Sequence, residues 1–345
     1  MKNKLNRLMP FFIFLCFTAT VSYAADPLTL KDVGDELKGY AKDMAGSAGF
    51  LSSIGLSWSQ QYIGQLIDQP PHWGAGLSVG LVSLKMDHLS KISEMILGQK
   101  LEDRLFDKQF LPTYVIETRI GGLGRLPFDF GAKWGMIPSM GLFKNDVKYG
   151  VTHWGFDFRY AILEGWGNRP ALMAGIEFDR VKGGVSRDAP DIIDNVIHTN
   201  GGTSTLSFET YNIDAKAGIS KTFFQPSITI FAGIKAGVSI AKAGYSIVGE
   251  DMSYYDGLND TYLSEMNDDE ANDLAGILTG MQGTGDITVN TDGGIYSSYD
   301  IIGINFNTYE GISFNFRDRA ILQLTLMFDF LHFEYGFNLA FRYQQ

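Results

Sequence analysis

Ionisable residues of both signs recur at every second position of several otherwise apolar stretches, and they are the chain's clearest candidates for chemistry. Facing an enclosed space, such a set would hold water, bias which solutes enter, or neutralise itself by ion pairing. We predict that these side chains line a pore, and mutual neutralisation across the interior is the alternative. The candidates are Glu117, Arg119, Asp129, Lys133, Asp157, Arg159, Glu177, Asp179, Asp214, Lys216, Lys235, Asp329 and Arg342.

Signatures of enzymatic or metal chemistry are sparse. The chain has 5 histidines, and no HExxH, CxxC or Walker pattern is present. His153 is followed by Asp157, but one histidine near an acid is a weak signal, and a structural role explains it equally well. We therefore predict that the protein is not an enzyme, with no catalytic residues, no cofactor and no metal.

The first 24 residues predict a cleaved secretory signal peptide. Basic residues at positions 2, 4 and 7 precede a short apolar run, and the small residues Ser22 and Ala24 mark the cleavage site. Cys16 is the only cysteine, so no disulfide can form in the mature chain; a lipid anchor on Cys16 is the less favoured alternative. The net charge of −11 argues against a nucleic-acid partner, because phosphate binding depends on Lys and Arg.

Alternating apolar and polar residues run through the rest of the chain and predict β-strands. From Phe333 to Tyr343 one register is apolar and mostly aromatic, while Glu334, Asn338 and Arg342 lie in the other. Long strands with aromatic rings near their ends suit a bilayer, which requires every backbone group to be paired within a closed barrel. We predict an all-β fold, an antiparallel transmembrane β-barrel of about 12–14 strands. A soluble exported β-sandwich is the alternative.

Two further observations limit this fold. No apolar run of about 18 residues follows the signal peptide, which excludes a helical membrane protein. Between Phe330 and Phe333 the apolar register changes parity. A tight hairpin there is preferred to a β-bulge, because single-chain barrels of this kind usually have an even number of strands.

The mature chain begins with a predicted amphipathic helix in residues 25–48. Apolar residues recur at helical spacing from Leu30 to Met44, and Thr29 with Asp32 forms a capping sequence. The helix either rests on the periplasmic rim, enters the lumen as a plug, or binds a partner. Residues 49–345 are then assigned to the barrel. A second helical stretch, Met86–Leu97, would cap it or lie at the membrane interface.

Residues 250–294 form the longest irregular stretch and hold eleven acids but no Lys or Arg. We predict a long loop at the cell surface, since such barrels have long outer loops and short inner turns. Its central sequence, NDDEANDLAGILTG, could form a short helix. A cation site is a less favoured reading of the acids, because the EF-hand spacing is absent. Residues 188–202 resemble a second loop of this kind.

The chain resembles bacterial outer-membrane β-barrel proteins, and within them most closely the FadL-type transporters of hydrophobic compounds. The resemblance rests on the helical segment before the first strand and on the stretches Gly131–Pro138 and Gly155–Leu163. The ending, Phe333–Tyr343, is similar to the C-terminal signal by which the outer-membrane assembly machinery recognises its substrates, although Gln344 and Gln345 follow the last aromatic residue. This resemblance implies a monomeric barrel that moves small molecules.

Together these observations predict a porin-like conduit for small solutes in the outer membrane of a diderm bacterium. The resemblance suggests hydrophobic compounds as the transported class. The expected partners are outer-membrane lipid, the assembly machinery and an unidentified solute. The alternative is a non-conducting surface or structural barrel that acts through the acidic segment 250–294.

Overall fold

The computed structural model describes most of the chain from residue 29 onwards. The described residues are 29–63, 71–84, 109–122, 126–137, 148–165, 169–188, 192–193, 197–199, 201–224, 227–249, 251–255, 260–283, 285–290, 294–316 and 319–345, with a few positions between 88 and 95. The predicted signal peptide lies outside them, and so does most of the predicted helix Met86–Leu97.

The elements of the described part of the chain are two α-helices, one short 3₁₀ helix (Leu263–Glu265) and fifteen strands. The helices are α1 (Leu30–Leu51) and α2 (Asp268–Gln282). The strands are β1 (His72–Leu84), β2 (Gln109–Gly121), β3 (Phe128–Ile137), β4 (Lys148–Glu164), β5 (Ala171–Asp188), β6 (Ile192–Ile193), β7 (Ile197–His198), β8 (Thr203–Phe224), β9 (Ser227–Val248), β10 (Ser253–Tyr255), β11 (Asp260–Tyr262), β12 (Asp286–Asn290), β13 (Gly294–Phe316), β14 (Ala320–Asp329) and β15 (Glu334–Gln344).

Ten of these strands form a closed antiparallel barrel in the order β1-β2-β3-β4-β5-β8-β9-β13-β14-β15, with β1 paired to β15. This confirms the predicted fold class. The predicted number of strands, 12–14, is wrong for the described residues. The remaining strands are only two to five residues long; they lie in the connections, too short to cross a bilayer.

The hairpin predicted at the parity change is confirmed. β14 and β15 pair from Asp329 opposite Glu334 to Ala320 opposite Tyr343, with residues 330–333 between them. Phe333 adopts a left-handed backbone conformation with φ of 55°. The tight turn therefore reverses the chain and restores the alternation on the next strand.

The barrel has two unlike ends. At one end the connections are short, at residues 122–127, 165–170, 225–226 and 317–319, and β1 begins and β15 ends there. At the other end the connections include residues 85–108, 138–147, 189–202 and 249–293. We call these the short-turn end and the long-connection end.

The wall also changes its chemistry along its height. On β9 the outward residues from Ile228 to Ile240 are hydrophobic, but Lys242 and Ser246 follow in the same register. In register across four neighbouring strands lie Lys182, Glu209, Lys242 and Asp300. We call this row the charge ladder, and the hydrophobic outward face between it and the short-turn end the apolar belt.

The inner face changes in the opposite sense. Beside the apolar belt it carries charges such as Lys235, whereas above the charge ladder it carries buried Ala243, Tyr245 and Ile247. The lower wall, between the charge ladder and the short-turn end, is thus hydrophobic outside and polar inside, as a membrane barrel is. The upper wall, between the charge ladder and the long-connection end, is polar outside and hydrophobic inside, like a water-soluble protein.

α1 lies inside the upper barrel. Its hydrophobic stripe, including Leu37, Tyr40 and Met44, is buried, and Ala45 contacts the inner face of β13 so closely that a side chain at Gly303 would overlap it. The backbone N–H of Asp32 donates to Thr29 Oγ1 at 3.2 Å and begins the helix. Within the described residues, no helix combines the length and hydrophobicity that a membrane crossing requires.

Candidate functional site

The chain from Leu30 to Ile63 passes through the barrel, and we call it the interior segment. It consists of α1 and a polar stretch, residues 52–63, that continues towards the short-turn end. Glu117 Oε2 accepts hydrogen bonds from the Leu56 backbone N–H and from Trp58 Nε1, both at 2.8 Å. Asp129 Oδ2 accepts from the Ile63 backbone N–H at 3.0 Å. Carboxylates of the wall therefore accept hydrogen bonds from the N–H groups of this stretch.

Basic side chains of the wall donate hydrogen bonds to the backbone carbonyl groups of residues 52–63. Arg159 Nη1 donates to the backbone oxygen of Gln60 at 2.9 Å, and Lys133 Nζ donates to that of Ser52. Gln323 accepts from the Ser59 backbone N–H at 2.8 Å. An irregular backbone inside a barrel needs such partners, because its amides have no sheet to pair with.

The first ion-pair cluster joins β2, β3 and β4. Arg159 Nη2 lies 2.7 Å from Asp129 Oδ2, and Arg119 Nη2 lies 2.7 Å from Asp157 Oδ1. Arg119 also pairs with Asp129. All four side chains are buried. Removing one partner of such a cluster would leave a buried charge uncompensated, which is costly.

The second cluster is centred on Glu177 of β5. Its Oε1 accepts from Lys133 at 2.9 Å and from Lys235 at 2.8 Å, while Oε2 accepts from Lys216 at 3.0 Å. Asp179 Oδ1 lies 2.9 Å from Lys133 Nζ. A bond from Lys216 to Asp157 of the first cluster makes the two clusters one network.

A third ion pair, separate from this network, spans the seam at which β15 meets β1. Arg342 Nε of β15 donates to Glu117 Oε1 at 2.8 Å. The guanidinium carbons of Arg342 and Arg119 lie 5.0 and 5.7 Å from the centre of the Trp58 ring. Trp58 therefore lies close to both cations and contributes cation–π contacts.

The structure places all thirteen predicted residues on the inner side of the wall, and all thirteen are buried. It brings eleven of them into ion pairs with one another. Asp214 lies beside this network without such a pair among the described residues. Asp329 lies at the end of β14 and accepts from the backbone N–H groups of Leu331 and His332, both at 2.7 Å. Its role is to hold the hairpin.

Several inner side chains remain without protein hydrogen bonds. Among the described residues, neither ring nitrogen of His153 and neither amide atom of Asn212 or Asn307 has a partner. All three are buried. Buried polar groups are almost always hydrogen-bonded, so the inner wall presents unused donors and acceptors at these positions.

One motif was missed by the sequence analysis. Gly76–Gly80 has the Gly-x-Ser-x-Gly spacing of a hydrolase nucleophile. Ser78 lies in the middle of β1, however, and its Oγ donates to Glu117 Oε1 at 2.9 Å. The exposed strand-to-helix turn that presents such a serine in hydrolases is not formed here.

The acidic segment is more ordered than a loop. Asn267 accepts from the backbone N–H groups of Asp269 and Glu270, and Glu270 accepts from that of Asn267, a complete capping box for α2. Leu274 and Leu278 belong to the hydrophobic core that includes α1. The segment thus closes over the long-connection end and keeps its acids exposed. Among the described residues, no cluster of His, Cys, Asp or Glu could hold a metal ion.

Comparisons with solved structures return β-barrels of low similarity. The alignment with the translocator domain of the autotransporter NalP from Neisseria meningitidis covers 90% of this chain and 96% of that chain, with 9% identity and a TM-score of 0.34. The alignment with a Pseudomonas aeruginosa FadL homologue covers 85% of this chain and 68% of that chain, with 13% identity and a TM-score of 0.36. The alignment with the Ralstonia pickettii toluene transporter TbuX covers 81% of this chain and 90% of that chain, with 11% identity and a TM-score of 0.26.

Every one of these TM-scores lies below 0.5, so no property of these proteins is transferred to this chain. No protein-family model and no curated protein sequence matches it.

Proposed function

We propose that the protein is an outer-membrane barrel that conducts small solutes when the interior segment moves. The apolar belt supports placement in a bilayer, with outward aromatic residues such as Trp73, Trp134 and Tyr343 exposed on it. The difference between the ends supports the orientation, with the short turns inside and the long connections at the cell surface. Membrane lipid, and the assembly machinery acting on β15, are the partners this placement requires.

The observation that carries the proposal is the way the lower interior segment is held. Residues 52–63 meet the wall mainly through hydrogen bonds to charged groups, such as Glu117, Asp129 and Arg159, and a small number of apolar side chains, such as Ile54, add hydrophobic contacts. Water that enters the lumen can replace such bonds, because protein hydrogen bonds exchange for hydrogen bonds with water, and each bond to a charged group then costs about 1.5–3 kcal/mol. Residues 52–63 are therefore the part of the interior segment that can detach from the wall most readily, whereas α1 must also leave its hydrophobic contacts in the barrel before the lumen opens.

The wall exposed by its departure would be polar and almost neutral. The paired set contains the acids Glu117, Asp129, Asp157, Glu177 and Asp179, and the bases Arg119, Lys133, Arg159, Lys216, Lys235 and Arg342. With Asp214 the two signs are equal in number. Such a lumen holds water, so it favours water-soluble solutes over the hydrophobic compounds that the resemblance suggests.

A disulfide tether tests the plug. A Cβ added at Gly49 of α1 would lie 3.1 Å from Cβ of Asn305 on β13, slightly less than the typical disulfide spacing of about 3.8 Å. We would refold the mature G49C/N305C double variant and record its conductance in planar bilayers, oxidised and reduced. The single variants G49C and N305C are the matched controls.

Three outcomes are distinguishable. Conductance steps that appear only after reduction support a gated conduit. Steps in both redox states show a path that bypasses the plug, which refutes gating by the interior segment. Silence from both states, and from a variant beginning after Ile63 that is shown to be folded, refutes conduction.

A non-conducting barrel is the second candidate, and the closure of the long-connection end by α2 favours it. In that case the exposed acids of α2, Asp268, Asp269, Glu270 and Asp273, would present the functional surface. Silence in the conductance test, with partner binding lost on deletion of residues 250–294, is the result expected of this candidate.

A further inference from the structure

Glu310 is a charged residue on the otherwise hydrophobic apolar belt. It lies on the outward register of β13 and is exposed. Towards the short-turn end the next outward residues are Ile312, Phe314 and Phe316, and towards the charge ladder they are Thr308, Phe306, Ile304 and Ile302. The carboxyl group therefore lies well inside the belt and not at its edge.

Few other charged residues share this face. Within the described outward positions of the belt, Lys221 lies near the short-turn end, Arg180 pairs with Glu209 of the charge ladder at 2.6 Å, and Glu164 is the last residue of β4. Glu310 has no hydrogen-bond or ion-pair partner among the described residues. An ionisable group in hydrocarbon is costly without a partner, and such groups mark functional sites.

Glu310 borders a groove of about 630 Å³ in the outer surface of the wall. Ala232, which lies opposite Glu310 in the sheet register and faces outward, leaves room for the groove because its side chain is small. Its remaining surface is mostly hydrophobic, with Lys221 at the edge. The main contributors are Pro170, Ile219, Phe223, Ile230, Leu324 and Leu326. A concave, mostly hydrophobic surface with a small number of polar groups is the usual form of a small-ligand site.

The chemistry of the groove selects its occupant. The hydrophobic lining accommodates an alkyl chain, and the carboxylate requires a cation or a strong hydrogen-bond donor. Lys221, the other charged residue of the groove, lies at its edge with Nζ 5.4 Å from the centre of the Phe223 ring. We propose that this groove binds a lipophilic primary amine from the bilayer, with its ammonium group paired to Glu310.

This inference rests on the membrane placement proposed above and is independent of the gating of the lumen. A closed, non-conducting barrel would carry the same groove. Conductance and amine binding are therefore separate readouts, and either can fail without the other.

The test is a titration of the refolded mature protein in detergent micelles with dodecylamine, dodecanol and dodecanoate. The readout is the saturable rise in the thermal unfolding midpoint. Wild-type protein should bind dodecylamine at least about tenfold more tightly than the other two amphiphiles. E310Q should lose this preference, because it keeps the shape of the side chain and removes the charge.

Two further variants complete the design. A232L fills the groove from an outward position and should lose amine binding although Glu310 remains. D300N removes an outward acid of the same strand beyond the groove and should bind as wild type does. Equal amine binding by wild type and E310Q, or dodecanoate binding as tight as dodecylamine binding, would overturn the proposal.

Discussion

Trp58 Nε1 donates a hydrogen bond to Glu117 Oε2 at 2.8 Å, and this contact fastens the interior segment to the second strand of the wall. The same carboxylate accepts from Arg342 Nε of the last strand at 2.8 Å. Glu117 therefore links the plug, β2 and the strand that closes the barrel. Disturbing it should affect both plug retention and barrel stability.

The first prediction concerns this link. Glu117→Ala should lower the free energy of unfolding by about 3–5 kcal/mol, because it leaves the Arg342 guanidinium buried without a counter-ion. The measurement is urea unfolding in lipid vesicles. Glu209→Ala, which breaks the half-exposed pair with Arg180, is the control and should cost about 1 kcal/mol or less. Equal losses would show that the Glu117 pair is not enclosed.

The second prediction separates the outer face from the interior. Trp134 and Trp154 are exposed on the apolar belt, whereas Trp58 is buried inside. A variant that retains only Trp134, with phenylalanine at the other tryptophans, should be strongly quenched by brominated lipid. The matched variant that retains only Trp58 should be almost unaffected. Comparable quenching of the two would refute the placement of either the plug or the membrane.

The third prediction is a pH dependence at the β14–β15 hairpin. The hydrogen bond between His332 Nδ1 and Asp329 Oδ1, at 3.1 Å, raises the pKa of His332 above its ordinary value of 6.5. Since the folded state favours the protonated ring, this stabilisation is full below pH 6.5. It is lost as the pH rises through the raised value.

His332 also lies against α1, because a Cβ at Gly46 would come within 2.3 Å of its Nε2. Thermal unfolding midpoints of wild type and His332→Asn should therefore differ most on the acidic side of this transition and converge at alkaline pH. Parallel pH profiles for the two proteins would rule out His332 as the titrating group.

The fourth prediction uses two glycines in different surroundings. A Cβ at Gly311 would lie 2.1 Å from the carbonyl oxygen of Leu324 on the neighbouring strand. Gly311→Ala should destabilise the barrel by about 1–3 kcal/mol through overpacking. Gly276 in α2 has nothing within 4 Å of such a Cβ, so Gly276→Ala should stabilise that helix by up to about 1 kcal/mol.

Both substitutions are read by chemical unfolding, and hydrogen exchange reports α2 locally. Similar effects of the two changes would mean that intrinsic helix and strand propensity, rather than the close approach of Leu324, determines the outcome at Gly311.

Much of the barrel could be predicted because alternation is a local signal. In β15 the residues Phe337 and Phe341 face outward, while Asn338 and Arg342 face inward, as their order in the sequence requires. The same rule placed Lys133 and Glu177 on the inner side. Their partnership could not be predicted, since it depends on how β3, β4 and β5 align.

The route of residues 52–63 had no sequence signal of its own. Trp58 lies in an irregular stretch, and its position is explained by its contacts with Glu117, Arg119 and Arg342 of the wall. Gln323, in contrast, lies in the polar register of β14 and could have joined the predicted set. The number of strands was overestimated because alternation does not show whether short stretches such as Asp286–Asn290 reach across the wall.

The reversal of polarity at the charge ladder means that one strand follows two opposite rules of substitution. In β9 an outward Ile234→Lys change would place a charge in lipid, while an outward Ser246→Lys change would only add to a hydrated surface. For inward residues the rule is reversed, since Ser239 should tolerate a polar replacement and Ile247, which lies in the hydrophobic core, should not. Sequence variation among proteins of this design should therefore change its pattern halfway along the strand, at the level of Lys242.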